Sequence, residues 1–311
     1  MPDLEGQSAN AAQIDYWNRT AGQTWVQYQD QLDRQIEPLG REGLKVLNPS
    51  VGERILDVGC GCGQTTLDLT ESVGPSGKVT GVDISAPMLD VARARPVLEG
   101  AVHPTFVECD AQTAELGENV YDAIFSRFGV MFFSDPVAAF KNLHRALKPH
   151  GRLTFVCWRP FQDNLWMRLP MEAARPFLPA PTPTDPAAPG PFAFADAERV
   201  RSILERAGFA GISIQPFDMA IGGSSLDQTV ALTFRVGPLA SILREQPELR
   251  PVVEETVKAA VSKYETSEGV LMPAAVWIIS ATKGREIDSA NFTLMHSDEN
   301  HLIDPVSYAD D

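Results

Sequence analysis

The sequence is poor in cysteine, which argues against several common kinds of site. It has 4 cysteines in 311 residues, and none of them forms a C-x-x-C pair. Neither a zinc site nor a redox motif is therefore predicted. Small buried apolar side chains are the favoured interpretation, because cysteine is among the most buried residue types. The alternative is a thiol site that accepts a soft metal or arsenic; the residues concerned are Cys60, Cys62, Cys109 and Cys157.

Positive charge and long apolar runs are also scarce. The chain has 26 lysines and arginines against 41 aspartates and glutamates, a formal net charge of −15. This excess disfavours a nucleic acid as partner, because a long polyanion would be repelled. No apolar run approaches the roughly eighteen residues that span a bilayer, and the first residues lack the basic and apolar regions of a signal peptide. No membrane span and a cytoplasmic location are expected.

The most informative stretch is Ile-Leu-Asp-Val-Gly-Cys-Gly-Cys-Gly at residues 55–63. An apolar strand pattern runs directly into three glycines at alternate positions, Gly59, Gly61 and Gly63. Glycine allows a sharp turn and lets a ligand lie against the main chain. A helix is predicted to start at Gln64, so that its first N–H groups point at whatever occupies the turn. The pattern is typical of a strand–turn–helix nucleotide cradle.

Two further predicted strands end in an acidic residue. They read Lys-Val-Thr-Gly-Val-Asp up to Asp83 and Thr-Phe-Val-Glu-Cys-Asp up to Asp110. The carboxylate of Asp83 could accept both hydroxyl groups of a ribose, and hydrogen bonds to a charged acceptor are the stronger ones. Ser85, before Pro87, is predicted to be the N-cap of the next helix, which leaves Asp83 for a ligand. An apolar strand follows at residues 121–128, then a helix-and-strand unit at 140–158.

The Asp57-x-Gly59-x-Gly61-x-Gly63 pattern and the four elements after it resemble the class I S-adenosylmethionine-dependent methyltransferases. The resemblance is strong over about residues 53–160 and weak over 196–283. It implies an α/β fold with a Rossmann-like, doubly wound, seven-stranded sheet, an antiparallel last strand and helical cap insertions. His150 stands where the family commonly has a second glycine.

The resemblance implies S-adenosyl-L-methionine as cofactor and a set of residues that bind it. In the family an aspartate at the position of Asp110 approaches the adenine amino group, and Ile84 would lie along the adenine face. The cofactor-binding residues implied are Asp57, Gly59, Cys60, Gly61, Gly63, Asp83, Ile84, Met88, Asp110, Ala111, Ser126, Arg127 and Trp25.

Three segments outside this unit are expected to shape the acceptor pocket. Residues 1–50 are predicted to form an N-terminal helical lid, and the methyltransferase domain at 51–283 has insertions at about 159–195 and 222–272. The first insertion is rich in proline and leaves a strand end, where an open α/β sheet binds ligands. Residues 284–311 are predicted to be a disordered acidic tail. The acceptor-binding candidates are Tyr16, Trp17, Phe128, Arg159 and Trp166.

No histidine is well placed as a general base. His103 and His150 precede strands, at the end of the sheet away from the cofactor, and His144 is predicted to be a solvated helix residue. The catalytic residue therefore stays unassigned, and Asp135 is better explained as a helix N-cap. We expect catalysis to depend mainly on the placement of the two reactants and on the exclusion of water. The acceptor would be one that ionises readily or already carries a nucleophile.

A small-molecule acceptor is favoured because Ser126–Gly129 differs from the motifs of nucleic-acid and protein-arginine methyltransferases at that position. The chain is broadly similar to the group that includes the quinone-methylating enzymes. Two other functions stay open: a non-catalytic S-adenosylmethionine-binding protein, and a nicotinamide-dependent oxidoreductase on a similar sheet. The dinucleotide fingerprint G-x-G-x-x-G is incomplete here, which argues against the oxidoreductase.

Overall fold

The computed structural model of the protein describes residues 10–180 and 185–284. The acidic tail predicted from residue 284 onward lies, except for that first residue, outside the described residues. Within these ranges every helix is too short or too polar to cross a membrane.

Eight strands form a single sheet. They are β1 (Arg54–Val58), β2 (Lys78–Asp83), β3 (Thr105–Glu108), β4 (Tyr121–Arg127), β5 (Leu147–Trp158), β6 (Phe209–Ser224), β7 (Glu265–Thr266) and β8 (Gly269–Lys283). The helices are α1 (Ala11–Arg19), α2 (Ala21–Gln27), α3 (Gln29–Leu47), α4 (Gln64–Val73), α5 (Ala86–Ala94), α6 (Pro136–Ala146), α7 (Leu165–Ala174), α8 (Ala197–Arg206), α9 (Leu226–Thr233), α10 (Pro238–Glu245) and α11 (Arg250–Val261).

The strand order is β3-β2-β1-β4-β5-β8-β6, and the two-residue β7 pairs with β8 at the end. The first five strands in this order are parallel, whereas β8 runs antiparallel to both β5 and β6. The predicted seven-stranded, doubly wound sheet with an antiparallel last strand is therefore confirmed, with β7 as a short addition. The order reverses between β1 and β4, so the carboxyl ends of these strands open a crevice where such sheets bind ligands.

Burial follows from this arrangement. Parallel strands are covered by helices on both faces, so they carry nearly continuous apolar residues. Ile55, Leu56, Ala123, Ile124 and Phe125 of β1 and β4 are all fully buried. The core that they form holds the β1 and β4 ends in place on either side of the crevice.

The two insertions differ in detail from the sequence-based expectation. Strands β6 and β8 extend beyond the parallel part of the sheet, so the second insertion begins after Ser224 and ends before Gly269. The first insertion contains α7, a helix that the prolines obscured because Pro170 lies inside it. Proline lacks a backbone donor, yet it is tolerated at this position, and α7 packs against α11.

His144 is not the solvated residue that its helix position suggested. Its ring lies edge-on to Phe209 at a centroid distance of 5.0 Å, and it is only half-buried. The contact comes from the neighbouring β6, which the sequence pattern of α6 alone could not reveal.

The backbone explains why a glycine would suit position 150. His150 has φ of 64°, in the left-handed region that costs ordinary residues about 1–2 kcal/mol. We expect His150→Gly to be at least as stable as the wild type and His150→Val to be about 2 kcal/mol less stable, because a β-branched side chain is a poor fit there. Urea denaturation measures both. His103→Val, at an exposed position outside this region of φ, is the control and should change stability by less than about 0.5 kcal/mol.

Candidate functional site

The glycine turn adopts the conformation that its sequence predicts. Gly59, Gly61 and Gly63 all have positive φ, at 68°, 53° and 83°. A Cβ on Gly59 would stand 2.6 Å from the Cα of Gly129 on the β4 side, so the two backbones touch. The turn therefore needs glycine both for its conformation and for this close approach.

Asp57 fixes the turn to the helix that follows. Its Oδ2 accepts hydrogen bonds from the hydroxyls of Thr65 and Thr66, both at 2.7 Å, at the start of α4. Burial raises the pKa of the Asp57 carboxyl, although the two hydroxyl donors oppose this. Its Oδ1 is buried and has no hydrogen-bond partner among the described residues. Asp57 thus links the turn to α4 through one carboxylate oxygen, while the other has no partner among the described residues.

Asp83 lies at the end of β2 and faces the turn. Its Oδ2 accepts from the Gly61 N–H at 2.7 Å and its Oδ1 from the Ser85 N–H at 2.9 Å. Burial raises the pKa of this carboxyl to about 6, against the effect of the backbone donors. Asp83 is therefore held in position by main-chain groups, with its side chain at the crevice.

The N-terminal segment is hydrogen-bonded to the residues that follow β2. Asn18 donates to the Ile84 carbonyl at 2.8 Å and accepts from the Ala86 N–H at 2.9 Å, so it caps α5. Ser85 stands at the predicted N-cap position, but its hydroxyl donates instead to the Trp17 carbonyl at 2.8 Å. These contacts link α1 to the strand end that carries Asp83.

A second contact joins the N-terminal segment to the residues that follow β3. The amide of Asn10 donates to Asp110 Oδ2 at 2.9 Å, while Asp110 Oδ1 accepts from the Gln112 N–H at 2.9 Å. The predicted lid therefore contacts two of the acidic strand ends. We call Asn10, Trp17 and Asn18 the lid contacts.

Loss of a lid contact should loosen this cover without unfolding the domain. We expect Asn18→Ala to increase the dissociation rate of S-adenosylmethionine about tenfold, because two buried backbone groups lose their partner. Hydrogen exchange in residues 10–27 should accelerate in parallel. The matched control is Arg19→Ala, whose side chain is 79% exposed and forms an ion pair with Asp15. Equal dissociation rates in the two variants would show that these contacts do not retain the cofactor.

A buried charge cluster lies beside the glycine turn. Arg127, at the end of β4, donates to Gln64 Oε1 at 2.5 Å and approaches Asp33 Oδ1 at 3.5 Å. Asp33 also accepts from Arg95 at 2.8 Å and from Gln29 at 2.6 Å. The cluster places two guanidinium groups and one partly neutralised carboxylate next to the turn, which suits the two charged ends of an amino acid.

These elements enclose one cavity of about 450 Å³. That volume is within the range of small-molecule and cofactor sites. The predicted site residues that line it are Gly59, Cys60, Gly61, Asp83, Ile84, Met88, Asp110, Ala111, Arg127, Trp25, Tyr16, Trp17, Phe128 and Trp166. Asp57, Gly63 and Ser126 do not line it; Asp57 and Ser126 lie fully buried behind the surface.

Arg159 is the exception among the predicted acceptor residues. It does not line the cavity; its guanidinium pairs with Asp163 at 3.0 Å and Asp218 at 2.5 Å, and its Cζ lies 5.1 Å from the Trp277 ring. The two carboxylates and the ring draw the side chain to the strands β6 and β8. Its place directly after β5 suggested an acceptor role, whereas in the structure its guanidinium group pairs with two carboxylates and does not line the cavity.

Aromatic side chains form two walls of the cavity. Phe128 stacks on Trp158 at 4.1 Å with an interplanar angle of 8°, and Trp158 contacts Trp166 at 5.2 Å. On the lid side, Trp17 lies edge-on to Trp25 at 6.0 Å and to Phe132 at 5.0 Å. These walls favour a planar, apolar guest.

Phe128 also carries backbone strain. Its φ is 63°, which is rare for a bulky residue and costs on the order of 1–3 kcal/mol. Strain of this kind persists where the surroundings hold it, and here the stack on Trp158 does so. It turns the Phe128 ring toward the cavity.

Sequence reasoning missed several lining residues. Asn10, Asp33, Trp158 and Phe192 line the cavity, as do residues 235–238, Ser241 and Arg244 of the second insertion. No local sequence pattern marks these residues, because only the tertiary structure brings them to the cavity wall.

The cysteines behave as buried thiols. Burial raises the pKa of Cys62 to about 12 and that of Cys109 to about 11, and raises the pKa of Cys60 and Cys157 as well. All are free thiols. Across residues 10–180 and 185–284 no group of three histidines, cysteines or carboxylates could hold a metal ion.

The part of the chain that the structure describes places no histidine in the cavity wall. Asp135 is the N-cap of α6, as predicted, and accepts from the Ala138 N–H at 3.0 Å. The three carboxylates in the wall, Asp33, Asp83 and Asp110, are all already hydrogen-bonded. Of the acidic and histidine side chains that could act as a base, the wall therefore contains only carboxylates among the described residues, and each of them already accepts a hydrogen bond.

Comparison with known proteins gives the family and the fold that this chain resembles. Residues 55–151 match the methyltransferase domain family. Demethylmenaquinone methyltransferase of Lactococcus lactis is 35% identical over 113 residues, which cover 36% of this chain and 45% of that protein. Aklanonic acid methyltransferase DauC of a Streptomyces species is 32% identical over 118 residues, covering 38% of this chain and 54% of that protein.

The chain thus spans about half the length of these curated relatives. Among solved structures, the YcgJ protein of Bacillus subtilis superposes with a TM-score of 0.53 at 17% identity, covering 79% of this chain and 98% of that protein. At that identity the likeness shows the fold. Residues 55–151 therefore contain a methyltransferase domain, which agrees with the resemblance that the sequence motifs carry.

Proposed function

We propose that this protein is a methyltransferase that moves a methyl group from S-adenosyl-L-methionine to a small-molecule acceptor. One observation carries the proposal: a single cavity includes both the glycine turn and the aromatic walls of the lid and the insertions. A donor held at the turn and an acceptor held between the walls would meet in one enclosed space. The segment up to residue 50 would act as lid and the two insertions as cap.

The described residues fit the donor. Asp83 would accept the ribose hydroxyls, Asp110 would accept from the adenine amino group after Asn10 yields, and Ile84 and Met88 would contact the adenine ring. Arg127 would bind the carboxylate of the amino-acid end, and Asp33 would face its ammonium group. When bound, the donor supplies an electrophilic methyl group on a sulfonium.

The protein's own contribution is placement in a dry cavity. In-line displacement needs the acceptor atom about 3 Å from the methyl carbon, opposite the departing sulfur. Loss of charge at sulfur is favoured where water is excluded, and the aromatic walls exclude it. Because no histidine of the described residues faces the cavity, the acceptor would have to ionise by itself.

The aromatic walls favour an acceptor with a conjugated ring. Phe128, Trp158 and Trp166 form one face and Trp17 and Trp25 the other. One relative is named for demethylmenaquinone, and a ring acceptor of that quinone type would fit between two aromatic faces. We propose Tyr16, Trp17, Phe128 and Trp166 as its contacts. The negative charge of the chain leaves a nucleic-acid acceptor disfavoured.

The test is release of S-adenosylhomocysteine when the protein meets a panel of phenols, quinones, amines and thiols. We expect turnover with ring phenols or hydroquinones, at a rate that rises with pH along the acceptor's own ionisation. An Asp83→Ala control should abolish it. Tight donor binding without turnover on any acceptor would favour the non-catalytic binder, and saturation by a nicotinamide dinucleotide would favour the oxidoreductase.

A further inference from the structure

Two arginines of the second insertion line the cavity without a charged partner. Arg235 follows α9, and Arg244 lies in the last turn of α10. Within the described ranges neither side chain forms an ion pair; Arg244 donates only to the Ser241 hydroxyl, at 3.0 Å. Ser241 also lines the cavity. Two cations therefore face this space uncompensated.

Two arginines of the adjoining helices do form ion pairs. Arg250 in α11 approaches Glu254 at 3.6 Å, and Arg168 in α7 pairs with Glu172 at 2.7 Å. The chain has 41 acidic residues against 26 basic ones, so carboxylates are plentiful. Exposed arginines without an ion pair among the described residues occur elsewhere too, Arg206 for example, so what distinguishes Arg235 and Arg244 is that both line the cavity.

The carboxylates of the cavity form no ion pair with these two arginines among the described residues. Asp33 pairs with Arg95, Asp83 accepts from the Gly61 amide, and Asp110 accepts from Asn10. All three belong to the lid and to the strand ends that the donor would occupy. Arg235 and Arg244 belong instead to the second insertion, whose helix α10 packs on α7.

The start of α10 lies in the same wall. Gly237, with φ of 96°, is its N-cap, and Pro238 is its first residue; both line the cavity. No side chain caps this end, so its first free N–H groups add a positive potential that favours an anion. This field adds to the charge of the two guanidinium groups.

The same cavity wall contains a hydrogen-bond donor without a partner among the described residues. The indole Nε1 of Trp166 is buried and has no hydrogen-bond partner among the described residues. Trp166 lines the cavity and contacts Trp158. The wall thus combines a flat apolar face, one free N–H and two free guanidinium groups, which together match a planar ring that carries an acidic substituent.

We propose that the methyl acceptor is a planar aromatic acid, whose anionic group is bound by Arg235 and Arg244 while its ring lies against Trp166. The proposal rests on the proposed function, since it names the acceptor class for the same cavity. Arginine stays charged throughout the physiological pH range, so the contact needs only that the acceptor's group is ionised.

Three probes that differ in one substituent test this: 2-naphthol, 6-hydroxy-2-naphthoate and 6-hydroxynaphthalene-2-sulfonate. Their affinities are measured by calorimetry on the full chain with S-adenosylhomocysteine present. The wild type should bind the carboxylate about tenfold more tightly than 2-naphthol, the effect expected for a charge-assisted hydrogen bond. A similar gain for the sulfonate would indicate recognition of any anion, and a smaller one recognition of a planar carboxylate.

The double variant R235Q/R244Q should lose the gain and bind all three probes with the affinity of wild type for 2-naphthol. R206Q is the matched control, because Arg206 is exposed on α8 and does not line the cavity. Both variants should melt at the wild-type temperature. Affinity for S-adenosylmethionine should not change in R235Q/R244Q.

Three outcomes would overturn the proposal. They are equal affinity of wild type for acid and naphthol, a gain that survives in R235Q/R244Q, and a fall in S-adenosylmethionine affinity as large as that for the acid. The third would assign the arginines to the donor. Failure of the proposed function is a separate result: preference for the acid would persist while no acceptor is methylated.

Discussion

Asp83→Ala should lower the affinity for S-adenosylmethionine about a hundredfold. The carboxylate would accept two hydroxyl groups, and hydrogen bonds to a charged acceptor contribute about 1.5–3 kcal/mol each. It also holds the Gly61 N–H in place, at 2.7 Å. Calorimetric titration with the donor measures the loss. Asp90→Ala is the control, since Asp90 is an exposed residue of the adjoining helix that pairs with Arg93.

The same carboxylate predicts a pH dependence. Its pKa is raised to about 6 by burial, so it is protonated below that pH and ionised above it. Donor affinity should therefore fall as pH drops through 6, to about a tenth at pH 5. Asp83→Asn should bind weakly at every pH and show no such transition.

Asp68 provides the matched control for this titration. Burial raises its pKa to about 6 as well, but it does not line the cavity. Asp68→Asn should keep both the affinity and the transition of the wild type. If Asp68→Asn removes the transition, or Asp83→Asn keeps it, the ionisation that matters for the donor is not that of Asp83.

Gly59→Ala should destabilise the fold by at least about 3 kcal/mol. Its Cβ would stand 2.6 Å from the Cα of Gly129, which is backbone and cannot rotate away, and its φ of 68° adds strain. The free energy of unfolding in urea is the measurement. Donor binding by any folded fraction should also be lost, because the displaced turn faces the cavity.

Gly100→Ala separates strain from collision. Gly100 has φ of 84°, but a Cβ there would meet nothing within 4 Å. Gly100→Ala should lower the free energy of unfolding only by the strain of the left-handed backbone conformation, about 1–2 kcal/mol. If the two variants lose the same stability, the contact between the β1 and β4 turns does not constrain the glycine.

The glycine turn shows how far local sequence reaches. An apolar strand, three glycines and a helix start are neighbours along the chain, and each constrains the next through a few bonds. Gly59, Gly61 and Gly63 have the predicted conformation, and Asp83 ends its strand at the crevice. The doubly wound sheet that the family resemblance implies is also confirmed.

The acceptor side shows where such reasoning stops. Arg159 was an acceptor candidate from its position after β5, yet Asp218, on a strand far along the chain, holds it elsewhere. Helix α7 was obscured in the sequence by Pro170 inside it and by the prolines that follow, and it packs on α11. Neither result depends on a local pattern, so neither was predictable from one.

By itself, then, the sequence determined the donor half of this protein: the turn, the acidic strand ends and the sheet that carries them. Their geometry follows from backbone conformation and from the periodic burial of neighbouring residues. Only the tertiary structure decided the other half, which includes the lid contacts of Asn10 and Asn18 and the place of Arg235 and Arg244 in the cavity wall. Those side chains meet the cavity through contacts between segments remote in the chain, and such contacts leave no periodic trace in the sequence.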